Sequence, residues 1–181
     1  MSELDVILWM QGASPLLDSV MVALSLMVYH AAIWVVLAVL MIASKDHRRP
    51  GIARLVSLLV AYVVVELVIK TFIHRERPYV AEDLAPIIVD SLSYSFPSGH
   101  TAYSFASATV ITMYYGRWGV PAFVLASMVG ISRIYLALHW PTDVVAGALI
   151  GIAVAIVCVT VLRSRVPYFQ EGAEEGRDVR N

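Results

Sequence analysis

The chain has 181 residues, of which 59% are hydrophobic and 15% charged, with a mean hydropathy of +0.75. Polar surface is too scarce to coat a soluble core of this size, which excludes a soluble globular protein and gives no basis for a nucleic-acid partner. The formal net charge of −1 says little by itself, because the placement of the charges decides more than their sum.

The opening MSELDVILWMQGASP starts with acids, so no cleavable secretion signal is expected. Residues 2 to 11 predict a short amphipathic helix, with Leu4, Ile7, Leu8 and Trp9 toward one face, suited to the membrane surface. This interfacial element occupies 1–12, and Gly12 and Pro15 interrupt it. Residues 15 to 43 would make a helix of about 44 Å, too long for one straight crossing of a ~30 Å hydrocarbon core. Either that helix is tilted and protrudes, or a half-span breaks near Tyr29-His30 before a full span. KDHRRPG, 45 to 51, reads as a polar loop. Spans are expected at 52–73, 98–115, 119–138 and 141–162, with a long loop over 74–96 and a tight turn at YGRWG. The polar end of the chain, 170–181, is expected to be a disordered cytoplasmic tail. Cys158 is alone in an apolar run, so neither a disulfide nor a cysteine metal site is expected. The expected fold is all-α: one polytopic membrane helical bundle over 1–181, with five to six membrane helices and an N-terminal interfacial helix.

Charge orients the bundle. Lys45, Arg48, Arg49, Arg54, Arg117, Arg163 and Arg165 fall at one membrane face, with Arg177 and Arg180 in the tail. By the positive-inside rule that face is cytoplasmic. Lys70, Arg75, Arg77 and Arg133 lie toward the other face, where topogenic charge is not needed.

Three segments meet at that outer face. They are KTFIHRERP with Lys70 and Arg77, FPSGH with Ser98, Gly99 and His100, and SRIYLALHWPTD with Ser132, Arg133, His139 and Asp143. Pro97 suits the first turn of a helix, leaving the N–H groups of Ser98, Gly99 and His100 pointing outward as a cradle for an anion. Gly99 lets an oxygen approach closely. Lys70, Arg77 and Arg133 would neutralise a phosphate, and such cations against an apolar wall call for an anionic ligand. Pro141 starts a new helix, and Asp143 in its first turn is close enough to reach back to His139. A carboxylate on one ring nitrogen fixes the tautomer and leaves the other nucleophilic, with His100 as proton donor to the leaving oxygen.

These residues carry a resemblance. K-x6-RP, PSGH and SR-x5-H-x3-D resemble, in order and without mismatch, the three motifs of the type 2 phosphatidic acid phosphatase superfamily. The resemblance implies a metal-independent integral-membrane lipid phosphatase with no cofactor, acting through a phosphohistidine on His139. Asp143 would support that nucleophile, His100 would protonate the leaving group, and Lys70, Arg77, Ser98, Gly99 and Arg133 would bind phosphate. In small bacterial members the substrates include undecaprenyl diphosphate and phosphatidylglycerol phosphate. An outward-facing site in the cell membrane favours recycling of a polyprenyl diphosphate, with phosphatidylglycerol phosphate or phosphatidic acid as the alternative.

Several residues have ordinary structural explanations. Glu66, four residues before Lys70, is expected to pair with it. Arg75 and Glu76 read as a solvated loop pair, and Ser132 as a packing or hydrogen-bonding residue. His30, His47 and His74 have no motif partners and read as structural. Vanadate haloperoxidases share the phosphate-site residues but are larger and mostly soluble. A lipid-phosphate binder or transporter would not need both His100 and His139. Transfer of the phosphoryl group to an acceptor other than water is compatible with the motifs.

Overall fold

The computed structural model describes residues 2–11, 14–27, 31–89 and 93–170, and among these it contains helices and loops but no strand. The helices are α1 Glu3–Met10, α2 Pro15–Met27, α3 Ala32–Ala43, α4 Arg48–Tyr62, α5 Lys70–Phe72, α6 Pro78–Ala81, α7 Gly99–Tyr115, α8 Gly119–Tyr135 and α9 Pro141–Arg165. A π-helical segment, Val63–Ile69, joins α4 to α5 without a break.

Helix α7 is the central post, packed against α9, α8 and α4. Its sequence explains why: Ala102, Ser104, Ala106, Ser107, Ala108 and Thr109 are all buried, and small side chains let neighbouring backbones come close. The tightest approach is to α9. A Cβ on Gly147 would lie 2.5 Å from the Ser98 carbonyl oxygen, and one on Gly151 would collide with that of Ala102. This contact sets the start of α7 against the start of α9, where the Ser98 N–H donates to the Asp143 carbonyl at 3.1 Å. Helix α8 folds back along α7 after Gly116, which has φ 57°. Ala108 packs against Ala122 and Ala126, and Phe105 meets Phe123 edge-on at 5.7 Å. Trp34 ties α3 to this core by donating its Nε1–H to Ser104 Oγ at 3.0 Å.

Among the described residues, three helical stretches are long and apolar enough to cross a membrane, Arg48–Phe72, Gly99–Tyr135 with its turn at Gly116, and Pro141–Arg165, and the bent pair of α1 and α2 together would make a fourth. Large apolar side chains such as Leu16, Leu40, Leu59, Phe72 and Leu149 cover the outside, as suits a lipid solvent.

The structure chooses between some expectations and adjusts others. Residues 15–43 are not one straight helix: α2 stops at Met27, and Ala31, with φ 60°, precedes α3. Tyr29 and His30, where the break was expected, lie outside the described residues, as do 171–181 of the tail. Helix α3 has only 12 residues, about 18 Å at ~1.5 Å per residue. The apolar residues of helix α1 are divided between the protein interior and the outside. Ile7 is buried against Ala137 and Trp140, while Leu8 and Trp9 stay exposed. Helix α8 ends at Tyr135, three residues earlier than expected. Cys158 is packed inside.

Candidate active site

Three interruptions of the helical pattern meet at one end of the bundle: the end of α5, the start of α7 and the junction of α8 with α9. At the first, Lys70 is buried and its Nζ donates to both Glu66 carboxylate oxygens, at 2.9 and 3.0 Å. The expected Glu66–Lys70 pair is therefore formed. The wider turns of the π-helix that carries Glu66 are a frequent mark of functional positions. Arg77, just before α6, donates from Nε to the Ser93 carbonyl at 2.9 Å and from Nη1 to the Leu138 carbonyl at 3.1 Å. It thereby links the segment before α7 to the one before α9.

Pro97 is not in the first helical turn. It follows a cis peptide after Phe96, Ser98 is the N-cap, and α7 begins at Gly99. The Ser98 N–H is also not directed outward, since it is bonded to Asp143 O. Ser98 Oγ pairs with Thr101 Oγ1 at 2.9 Å. Gly99 keeps the place of the expected cradle but has a further reason to lack a side chain. A Cβ there would lie 2.6 Å from Glu66 Oε1 and 3.3 Å from the Tyr103 hydroxyl.

After α8 the chain turns through Ala137, with φ 53°, and the N–H groups of Leu138 and His139 both donate to Arg133 O, at 3.1 and 3.2 Å. This presents the His139 ring inward, 1% exposed. Pro141 opens α9, and the fully buried Asp143 accepts the Trp140 N–H on Oδ2 at 2.9 Å. His139 Nδ1 lies 3.6 Å from that oxygen and 3.5 Å from Ser95 Oγ, just beyond hydrogen-bond length. Ser95 Oγ donates to the same Asp143 oxygen. His139 sits in the loop between α8 and α9. Burial first, then the positive charges of Arg77, Arg133 and Lys70 and the nearby His100, hold its basicity well below that of an ordinary imidazole. The ring is therefore neutral at pH 7, with a lone pair available.

A cavity of about 460 Å³ opens in front of this ring. Lys70, Arg77, Gly99, His100 and His139 line its polar end together with Glu66, Ser93 and Tyr103. Its apolar end is lined by Ala31, Val35, Leu55, Leu58, Leu59 and Tyr62. Of the eight residues singled out in the sequence, these five face the cavity. Ser98, Arg133 and Asp143 stand behind its wall. Arg133 is fully buried, its field reaches His139, and its Nη1 donates to Ser25 Oγ. Ser132 bonds Val129 O within α8, as a packing residue does.

Sequence reasoning missed the groups behind Asp143. Arg75 is not in a solvated pair with Glu76. Its Nη1 donates to Asp143 Oδ1 at 2.6 Å and to Thr142 Oγ1 at 2.7 Å, and its Nη2 to Glu3 Oε2 at 2.5 Å. Ser95 has no signal beyond lying in SYSFPSGH, and Glu3 none beyond the first turn of α1. Among the described residues, no group of three or more His, Cys, Asp or Glu is arranged to hold a metal ion.

Residues 50–167 match the PAP2 superfamily. The chain is 29% identical over 131 residues to an undecaprenyl-diphosphatase of Sulfolobus acidocaldarius, covering 71% of this chain and 63% of that protein. It is 36% identical over 96 residues to phosphatidylglycerophosphatase B of Bacillus subtilis, covering 47% of this chain and 45% of that one. The chain thus spans less than two thirds of the length of either relative. The crystal structure of Aquifex aeolicus LpxE superimposes with a TM-score of 0.73 at 28% identity, over 87% of this chain and 94% of that one.

Proposed function

We propose, from the premise that this chain belongs to the PAP2 superfamily, that it is a membrane lipid phosphatase hydrolysing a polyprenyl diphosphate such as undecaprenyl diphosphate. The observation that carries this is the two-ended cavity. Its polar end brings Lys70, Arg77, His100 and the buried His139 together, and its apolar end continues between Val35, Leu55 and Leu59. Leu59 and Tyr62 line the cavity and are also exposed on the flank of the bundle, which supports entry of a lipid from the side. The charge pattern supports a site on the extracytoplasmic face of the cell membrane.

In the proposed chemistry, Asp143 holds the Nδ1–H of His139, and the Nε2 lone pair attacks phosphorus. The P–O bond to the leaving group breaks as the N–P bond forms, and His100 gives its proton to the departing oxygen. His100, now neutral, takes a proton from water. That water attacks the phosphohistidine, the N–P bond breaks, and inorganic phosphate leaves. Lys70 and Arg77 stabilise the charge on the transferred group from the cavity wall and Arg133 through its field from behind it, with Gly99 at the helix start beside the group and Ser98 capping that helix.

Hydrolysis of a lipid monophosphate such as phosphatidylglycerol phosphate is the second candidate. It is favoured by Glu66, whose carboxylate on the cavity wall would repel the second phosphate of a diphosphate and accept a hydroxyl proton from a glycerol. The test is phosphate release by the purified protein from undecaprenyl diphosphate, phosphatidylglycerol phosphate and phosphatidic acid, compared as kcat/KM. The diphosphate should lead. A lead by phosphatidylglycerol phosphate selects the second candidate, and no release from any lipid, with lipid binding retained, points to a binding or transport protein.

A further inference from the structure

We infer that Arg75 is a positioning residue for the His139–Asp143 pair and that Glu3 holds Arg75 in place, so that helix α1 belongs to the catalytic apparatus. This rests on the reading of His139 as nucleophile.

The geometry is a continuous relay. Asp143 is fully buried, and its two oxygens are divided between two sets of partners. Oδ2 faces His139, Ser95 and the Trp140 N–H. Oδ1 receives Arg75 Nη1 at 2.6 Å. A buried carboxylate without a counter-charge is costly, and Arg75 supplies one from outside the substrate cavity. It therefore restrains the carboxylate without competing for phosphate.

Arg75 in turn is fixed on several sides. Its carbonyl accepts the Ser95 N–H at 2.8 Å, which ties the second Asp143 partner to the same residue. Its guanidinium lies over the Trp140 ring, 5.1 Å from the centroid. Its Nη2 ends on Glu3 Oε2. Glu3 Oε1 accepts from both the N–H and the hydroxyl of Thr142, at 2.9 and 2.7 Å. Glu3 thus bridges Arg75 to the first turn of α9, one residue before Asp143. Burial alone would raise the Glu3 carboxyl, but the hydrogen bonds from Thr142 and Arg75 outweigh it and hold the group below its ordinary range. Helix α1 can hold this position because Ile7 is buried against Ala137 and Trp140, on either side of His139.

The consequence is mechanical. The Nδ1–Oδ2 separation of 3.6 Å must shorten for a hydrogen bond to form, and carboxylate orientation decides whether it can. Misplacing a reacting group by about 1 Å can cost on the order of 10²-fold.

The experiment uses the full-length protein in detergent with a lipid phosphate substrate and inorganic phosphate as competitive inhibitor. Arg75→Gln should lower kcat by roughly 10²-fold, with KM and the inhibition constant of phosphate moving by less than about threefold. Arg75→Lys should recover part of the loss. Glu3→Gln should cost roughly three- to tenfold in kcat, and the double variant should be no slower than Arg75→Gln alone, because both act through one chain of contacts. Glu76→Gln, on an exposed neighbour, is the control and should match the wild type. The inference is overturned by a wild-type kcat in Arg75→Gln, by equal loss of kcat and phosphate affinity, or by additive losses in the double variant. Activity in the wild type but not in His139→Ala keeps the nucleophile reading intact whatever Arg75 does. Full activity in His139→Ala overturns both.

Discussion

The two sides of the His139 ring are built differently. In front, Lys70, Arg77, Gly99 and His100 border open space, and the ring nitrogen on that side has room for a ligand. Behind, Asp143, Ser95, Arg75, Thr142 and Glu3 are bonded to one another. The front sets cationic and imidazole groups along the wall of a cavity, Lys70 being paired with Glu66 there, whereas the back bonds its charged groups to one another. A loss in front should therefore appear in chemistry or phosphate binding, and a loss behind in the orientation of the ring.

The sharpest break is at the ring itself. His139→Ala removes the nucleophile, and kcat should fall by at least about 10⁴-fold, with no phosphoenzyme trapped on acid quench. A phosphorylated protein in that variant would place the nucleophile elsewhere. His100→Ala removes only the proton donor in front, a role worth about 10²–10⁴-fold on a lipid monophosphate. The loss should shrink with p-nitrophenyl phosphate, whose leaving group needs no proton, and an equal loss on both substrates would remove His100 from that role.

Ser95→Ala probes the back. The Asp143 oxygen keeps the Trp140 N–H and Arg75 keeps the other oxygen, so kcat should fall by only about tenfold with KM unchanged. A change confined to KM would put Ser95 on the substrate side. The acid limb of kcat/KM tests the field of the front wall. His139 is held below its ordinary basicity, so the neutral nucleophile should persist below pH 6.5 and be lost only as pH falls through the depressed value. Lys70→Met removes one positive charge acting on the ring, so the limb should move to higher pH; movement to lower pH would reverse the sign. The smallest effect is expected from EDTA. Cationic side chains supply the charge stabilisation, so chelation should leave turnover unchanged, and loss restored by one divalent metal would contradict this.

Much of the front side was legible because it is written locally. K-x6-RP, PSGH and SR-x5-H-x3-D fall where helices start or stop, and turn chemistry at Pro141 and Gly99 is a short-range property. Hydropathy likewise marked the apolar runs at 52–73, 119–138 and 141–162. The break between α2 and α3 was one of two readings, because periodicity within an all-apolar run does not show where a helix bends. Pro97 illustrates the limit of local rules: its ring suits a first helical turn, yet the helix begins two residues later, with Ser98 held by Asp143 O from another element.

The amino-acid sequence by itself determined the solvent, the helical class and the chemical types gathered at one end of the bundle. Chain length, apolar content and motif spacing are enough for those. The tertiary structure alone decided where each charged side chain is directed. Arg75 and Arg77 are two residues apart and chemically identical, yet one ends on Glu3 and Asp143 and the other faces the cavity. That outcome depends on α1 docking through Ile7 and on Gly147 and Gly151 letting α9 lie against α7. Contacts between residues 72 and 68 positions apart in the chain leave no trace in local pattern.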